Sequence, residues 1–190
     1  NRSEAGIDSL LVYISRESEL ESISLRRPAA MRSEGRYGHY WFRLKEQLRP
    51  GDTTRMTFRF RSGWSPFRGH TAFNSIIGNG TFIRISNYFP SLGYEPGNEI
   101  TNSIERQKRS MPSQTPLKKL EEPQKEPYDY QFIRFSAVVS TDQDQTVIGP
   151  GNLVRRWTEG DRNYFHYRSG SPIPFRFAFS SARYRKRTAS

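Results

Sequence analysis

The sequence predicts an all-β, mostly antiparallel saddle- or sandwich-like domain, and three observations predict it. Apolar and polar residues alternate without a break through Arg55-Met56-Thr57-Phe58-Arg59-Phe60-Arg61. That period of two puts Met56, Phe58 and Phe60 on one sheet face and Arg55, Arg59 and Arg61 on the other. Aromatic residues make up 14% of the chain, with 13 Phe, 10 Tyr and 3 Trp, enough to build a core and to set the chain apart from a disordered one. Asn79-Gly80 stands between Ser75-Ile76-Ile77 and Phe82-Ile83-Arg84-Ile85, a strong short-range hairpin signal.

Taken in chain order, residues 6–14 and 20–25 read as strands. Tyr40, Phe42 and Leu44 then share a face opposite Trp41, Arg43 and Lys45. Pro50-Gly51-Asp52 marks a turn before the Met56 strand. Residues 99–109 read as one short surface helix, with Ile100 and Ile104 at i, i+4, Glu105 and Arg109 at the same spacing, and Asn98 as its N-cap. Residues 110–127, with Pro112, Pro116, Pro123 and Pro127 among Lys, Glu and Gln, read as a Pro-rich surface loop. Residues 131–140 place Ile133, Phe135, Ala137 and Val139 on one side and Phe132 and Val138 on the other, the pattern of a central strand covered on both faces. Residues 145–148, 153–157 and 163–167 are further strands, with a Pro150-Gly151-Asn152 turn. Phe175, Phe177 and Phe179 alternate with Arg176, Ala178 and Ser180 as a last one.

The length of 190 residues suits a single domain, so residues 1–190 are read as one β-domain. No apolar run is long enough to span a bilayer as a helix. The chain opens Asn1-Arg2-Ser3 without an initiator Met or a signal-peptide pattern, and is expected to be excised from a larger chain. It has no cysteine, hence no disulfide, thiolate nucleophile or Cys-based metal site. His39, His70 and His166 are not paired at ligand spacing, and HExxH, GxSxG and phosphate-loop motifs are absent. Asp142 and Asp144 between two strands read as turn formers rather than calcium ligands. No catalytic residue and no metal ligand is assigned. The formal charge of +11 supports an alternative, a basic β-module binding polyanions or nucleic acid through Arg55, Arg59 and Arg61, although nucleic acid is not the favoured partner. An independent sandwich recognising protein or glycan is a third reading.

Several stretches together resemble a known family. Leu48-Arg49-Pro50-Gly51-Asp52-Thr53-Thr54-Arg55-Met56-Thr57-Phe58 resembles a strand entry in the N-terminal β-domain of membrane alanyl aminopeptidases, zinc exopeptidases of the HExxH type. Asn79-Gly80-Thr81-Phe82, residues 87–94, residues 140–151, Trp157 and residues 162–167, and Phe179-Ser180-Ser181-Ala182-Arg183-Tyr184 resemble the branch of that family fused behind a bacterial multi-span, ABC-type permease. The resemblance implies a non-catalytic domain that walls the substrate cleft and packs on a downstream zinc-peptidase domain of the same chain. Zinc is thereby implied for that missing domain and no cofactor for this one. It also implies a membrane through the parent's transmembrane segments, a peptide substrate, and a place on the extracytoplasmic side. The family's β-domain contributes a Gln that holds the substrate's amino group. The corresponding place here is Asn79-Gly80-Thr81, without a Gln, so Asn79 and Thr81 are the candidate substrate contacts. Tyr88, Phe89 and Tyr94 are the candidate interdomain contacts.

Overall fold

A computed structural model describes residues 1, 3–15, 18–26, 29–62, 76–77, 80–84, 89–93, 100–113 and 132–185. Asn79, Tyr88, Tyr94, Asn98, His70 and residues 114–127 lie outside them.

The strands are β1 (Ile7–Tyr13), β2 (Ser18–Leu25), β3 (Ala29–Glu34), β4 (His39–Leu48), β5 (Met56–Ser62), β6 (Ile76–Ile77), β7 (Gly80–Arg84), β8 (Ser91–Leu92), β9 (Phe132–Ile133), β10 (Ser136–Asp142), β11 (Thr146–Ile148), β12 (Asn152–Glu159), β13 (Arg162–Arg168), β14 (Ile173–Pro174) and β15 (Ala178–Ala182). A 3-10 turn, Gly35–Tyr37, joins β3 to β4, and among the described residues one α-helix, α1 (Ser103–Lys108), follows β8. Every pairing is antiparallel. The sheets run β3-β4-β1-β8, β2-β5, β10-β13-β12, β11-β15-β7-β6 and β14-β9. The domain is all-β, as its alternation predicts.

Two cores hold it together. In the first, Leu10 pairs with Phe42 and Val12 with Tyr40 across β1 and β4, which turns Trp41, Arg43 and Lys45 to solvent. Val12, Ile14 and Phe42 are buried against Leu20, Ile23 and Leu25 of β2 and Met56 of β5. Leu20 and Ile23 share that face although three residues apart, because a bulge between Leu20 and Ser22 inserts one residue and restores the phase. Gly38 closes the β3–β4 turn at φ 72°, against the Ile14 carbonyl where a Cβ has no room. Its own carbonyl accepts from the Ile14 N–H at 2.9 Å. Only glycine meets both demands cheaply.

The second core puts Val147 of β11 against Phe165 and Tyr167 of β13, with Phe135 and Val139 packed beside them. Rings of Phe135, Phe177 and Phe179 extend it, at 4.7 to 5.9 Å between centroids. The β10–β11 turn links its two sheets. The Gln145 N–H donates to the Asp142 carbonyl at 3.0 Å, Thr141 Oγ1 donates to Gln145 Oε1 at 3.0 Å and Asn163 Nδ2 to the Gln143 carbonyl at 2.8 Å. Asp142 and Asp144 serve this turn and pair with Arg162 and Arg183.

Four expectations change in detail. Residues 131–140 are not one central strand: β9 and β10 are separated by Arg134 and Phe135, β10 is a sheet edge, and Phe132 and Val138 are 57% and 56% exposed. The apolar residues on its second face are uncovered rather than buried. Phe175 and Phe177 precede β15, the strand the alternation predicted for them; their rings pack at 6.1 Å on a segment without ladder bonds. Gly80 opens β7 opposite Ile77 instead of sitting in the turn, because the Ser181 carbonyl lies where its Cβ would be, 2.8 Å away. The helix begins at Ser103, with Asn102 as its cap: Asn102 Oδ1 accepts from the N–H groups of Ile104 and Glu105 at 3.0 and 3.1 Å, satisfying two donors left open at a helix start. The buried Arg106 then ties the flanks together, donating to the Pro112 carbonyl at 2.9 and 2.7 Å and to the Ile100 carbonyl at 3.0 Å.

Candidate interdomain surface

Register in the β11-β15-β7 sheet sorts its residues between two faces. Val147, Ser181 and Thr81 lie opposite one another in one row; Val147 is 1% exposed, so this row faces the core. Ile148, Ser180 and Phe82 form the next row, which a period of two turns outward. Ile148 is 53% and Phe82 52% exposed, and Tyr184 just beyond the strand is 44% exposed. The Ser180 and Tyr184 hydroxyls are hydrogen-bonded to each other, which pins Tyr184 beside the row. An isoleucine, a phenylalanine and a tyrosine uncovered in one place form an apolar patch that water solvates at a cost, the kind of surface a protein partner covers.

The adjoining β10-β13-β12 sheet presents a second outward face. Trp157 and Tyr164, directly opposed, stack at 5.1 Å with their planes 11° apart. The Arg155 guanidinium lies over the Trp157 ring at 5.0 Å, a cation–π contact. His166 is hydrogen-bonded through Nε2 to Ser136 Oγ at 2.9 Å. Strand β12 is an open edge with a bulge between Leu153 and Arg155, and Leu153 and Val154 are 49% and 54% exposed.

The residues singled out in the sequence are dispersed over this frame. Thr81 is half-buried on the core face of β7. Phe89 belongs to the first half of the domain, its ring edge-on to Phe58 and Phe60 at 5.5 and 6.1 Å, and it is 37% exposed. The structure thus places Thr81 and Phe89 against different sheets. Arg55, Arg59 and Arg61 are exposed along β5 and its approach. Glu21, the residue inserted by the β2 bulge, reaches that face and pairs with Arg61 at 3.4 Å and Arg59 at 3.9 Å. Sequence reasoning passed over Ile148 and Phe82 as a pair because 66 residues of chain separate them, and only the register through Ser180 joins them.

Among the described residues no group of three or more His, Cys, Asp or Glu side chains is placed to hold a metal ion. The two described histidines are engaged elsewhere: His39 packs on the Tyr13 ring at 5.5 Å and His166 bonds Ser136. These two histidines do not make up a zinc centre. Among the described residues no helix is long and apolar enough to cross a membrane.

No protein-family model matches the chain, and neither does any curated protein. Its fold is that of an antiparallel β-domain found in zinc peptidases. It is similar to an M1 zinc metallopeptidase from Deinococcus radiodurans, solved as a mutant bound to a Tyr-Ser-Ala substrate, with TM-score 0.55 and 9% identity over 95% of this chain and 35% of that one. The M1 zinc metallopeptidase of the same organism gives 0.53, and a two-domain M1 mutant bound to L-arginine gives 0.52, both with the same identity and coverage. At that identity the likeness is one of fold. The chain spans about a third of the length of these structures.

Proposed function

We propose that this chain is the non-catalytic β-domain of a membrane-anchored, zinc-aminopeptidase-like protein, walling one side of a substrate cleft and packing on a catalytic domain downstream. The observation that carries the reading is the coverage: nearly all of this chain follows the fold of about a third of a zinc metallopeptidase. The uncovered row of Ile148 and Phe82 with Tyr184 supports it. Buried aromatic and aliphatic anchors supply most of the energy of such contacts, and this row offers two on a sheet with Tyr184 beside them. The placement behind a bacterial permease, on the extracytoplasmic side, rests on the order of the sequence stretches that resemble that branch. Zinc, and any hydrolysis of peptides, belong in this reading to the neighbouring domain. Asn79 and Thr81 stand, in this reading, where motif order puts the family's amino-group ligand.

Reading the native frame on both sides of the 190 residues tests this directly. An HExxH helix with its later Glu downstream, and hydrophobic spans upstream, is the expected result. Expression of the longer chain should then protect Phe82, Ile148 and Tyr184 from hydroxyl-radical labelling. A frame without a metallopeptidase motif overturns the reading, and salt-titrated oligonucleotide binding to the Arg55, Arg59 and Arg61 face becomes the next measurement, since displaced counterions make such binding fall steeply with salt.

A further inference from the structure

Where β9 gives way to β10 and β13 runs into β14, residues 134–136 and 168–172 enclose a surface cavity of about 290 Å³. Its frame is fixed by the backbone. The Phe135 N–H donates to Ser169 Oγ at 3.0 Å and the Ser169 N–H donates to the Phe135 carbonyl at 3.0 Å, a reciprocal clamp between the two segments. Ser136 is held by His166. Arg134 and Arg168 both line the cavity, and no carboxylate does. Neither arginine has an acidic partner among the described residues, a state they share with other exposed arginines such as Arg43 and Arg49. Two cationic side chains lining one concavity with no carboxylate between them favour an anion there. Ser171 and the exposed Gly170 add neutral donors to the same wall. Guanidinium groups bind oxyanions through paired N–H donors, and charge-assisted bonds of this kind are about twice as strong as neutral ones.

We propose that this cavity binds a phosphate-type dianion, its charge matched by Arg134 and Arg168 and its remaining oxygens by Ser171 and the backbone at Gly170. The site is separate from the row of Ile148, Ser180 and Phe82, which lies on the β11-β15-β7-β6 sheet.

Titrating the full ¹⁵N-labelled chain with inorganic phosphate at constant ionic strength tests the proposal by amide chemical shifts. Saturable shifts centred on Ser136, Gly170 and Ser171, with a Kd of about 1 mM or tighter, are expected. R134Q/R168Q should weaken binding at least about tenfold, while R43Q/R49Q, which removes the same charge from the end and outer face of β4, leaves it unchanged. A parallel titration with phosphoserine separates the sources: tighter binding than phosphate identifies an ester, equal or weaker binding the free ion. Shifts that do not saturate overturn the proposal. So does an equal loss in the two double variants, because diffuse net charge then accounts for the attraction. Localisation of the shifts in the unsubstituted chain stands as evidence even where a variant folds poorly.

Discussion

Val12, Ile14 and Phe42 on one side of the domain, and Val147, Phe165 and Tyr167 on the other, are buried to a similar degree, yet they are held in different ways. The first cluster is a sheet-to-ribbon contact lined by aliphatic neighbours, and its polar work is done by backbone ladders. The second is ringed by phenylalanines and penetrated by hydrogen bonds. Tyr167 Oη donates to the Val147 carbonyl at 2.7 Å, and the Thr141–Gln145 and Asn163–Gln143 bonds sit at its rim. An aliphatic cluster gains from removing area from water and tolerates swaps that keep volume. A core that contains polar groups also needs each of them paired, since an orphaned one costs more than its bond contributed. The difference teaches that the second half is the more exacting, and that changes of equal size should not have equal consequences in the two.

The sharpest way to break this comparison is truncation at each centre. Phe165→Ala should destabilise by about 3–5 kcal/mol, and Val12→Ala, which removes less area, by about 2 kcal/mol. Urea unfolding gives the magnitudes, and amide exchange tells whether protection is lost first in β10–β13 for the former and in β1–β4 for the latter. Equal loss in all sheets for both variants would show one cooperative core instead of two. Next comes Gly80→Val. With the Ser181 carbonyl 2.8 Å from the position of its Cβ, the β7–β15 pair must part, at a cost of about 1–3 kcal/mol, read as a lowered denaturation midpoint.

Arg106→Met keeps the stem and deletes the guanidinium. The Ile100 and Pro112 carbonyls lose their donor, so exchange in α1 should accelerate by about tenfold or more while the sheets keep their protection.

The smallest expected effect is the most specific. Tyr167→Phe should cost about 1 kcal/mol, with a pH dependence that sharpens the contrast. Burial raises the Tyr167 phenol above its usual 10.0, an effect partly offset by the backbone at Gly149. The fold therefore favours the neutral phenol. Its contribution is complete below pH 10 and declines as pH rises past that value, because the unfolded chain ionises first. Denaturation midpoints above pH 10 should fall more steeply for the parent chain than for the phenylalanine variant, which has no phenol to ionise.

Much of this architecture is legible in the sequence, for a physical reason. The faces of β4 and β5 follow from alternation alone, since a period of two leaves no other way to bury Tyr40, Phe42 and Leu44 or Met56, Phe58 and Phe60. Partners do not follow, because alternation says which way a side chain points and nothing about its neighbours. Hence the row of Ile148, Ser180 and Phe82, which brings distant segments together, is invisible before the pairing is known. Val138 and Phe132 show the opposite failure: the residues were read as buried because they are apolar, and an edge strand leaves them out. Asn102 and Arg106 were hidden by Ile100 and Ile104, whose i, i+4 spacing suggests a helix through both, although the helix starts at Ser103, after Ile100. Of the residues proposed for function, Thr81 and Phe89 could be located by motif order, but their sheets could not.

The kinked edge strand β12 has a bearing on how the chain behaves at high concentration. Eight residues of open ladder would ordinarily invite another copy to zip on and seed a fibril. The bulge at Leu153 and Arg155 interrupts the repeat that such stacking requires, and Arg155 and Arg156 bring two like charges into every would-be pairing. An irregularity in one strand thus guards this edge against self-pairing, and straightening it by deletion of Val154 should raise the tendency to aggregate.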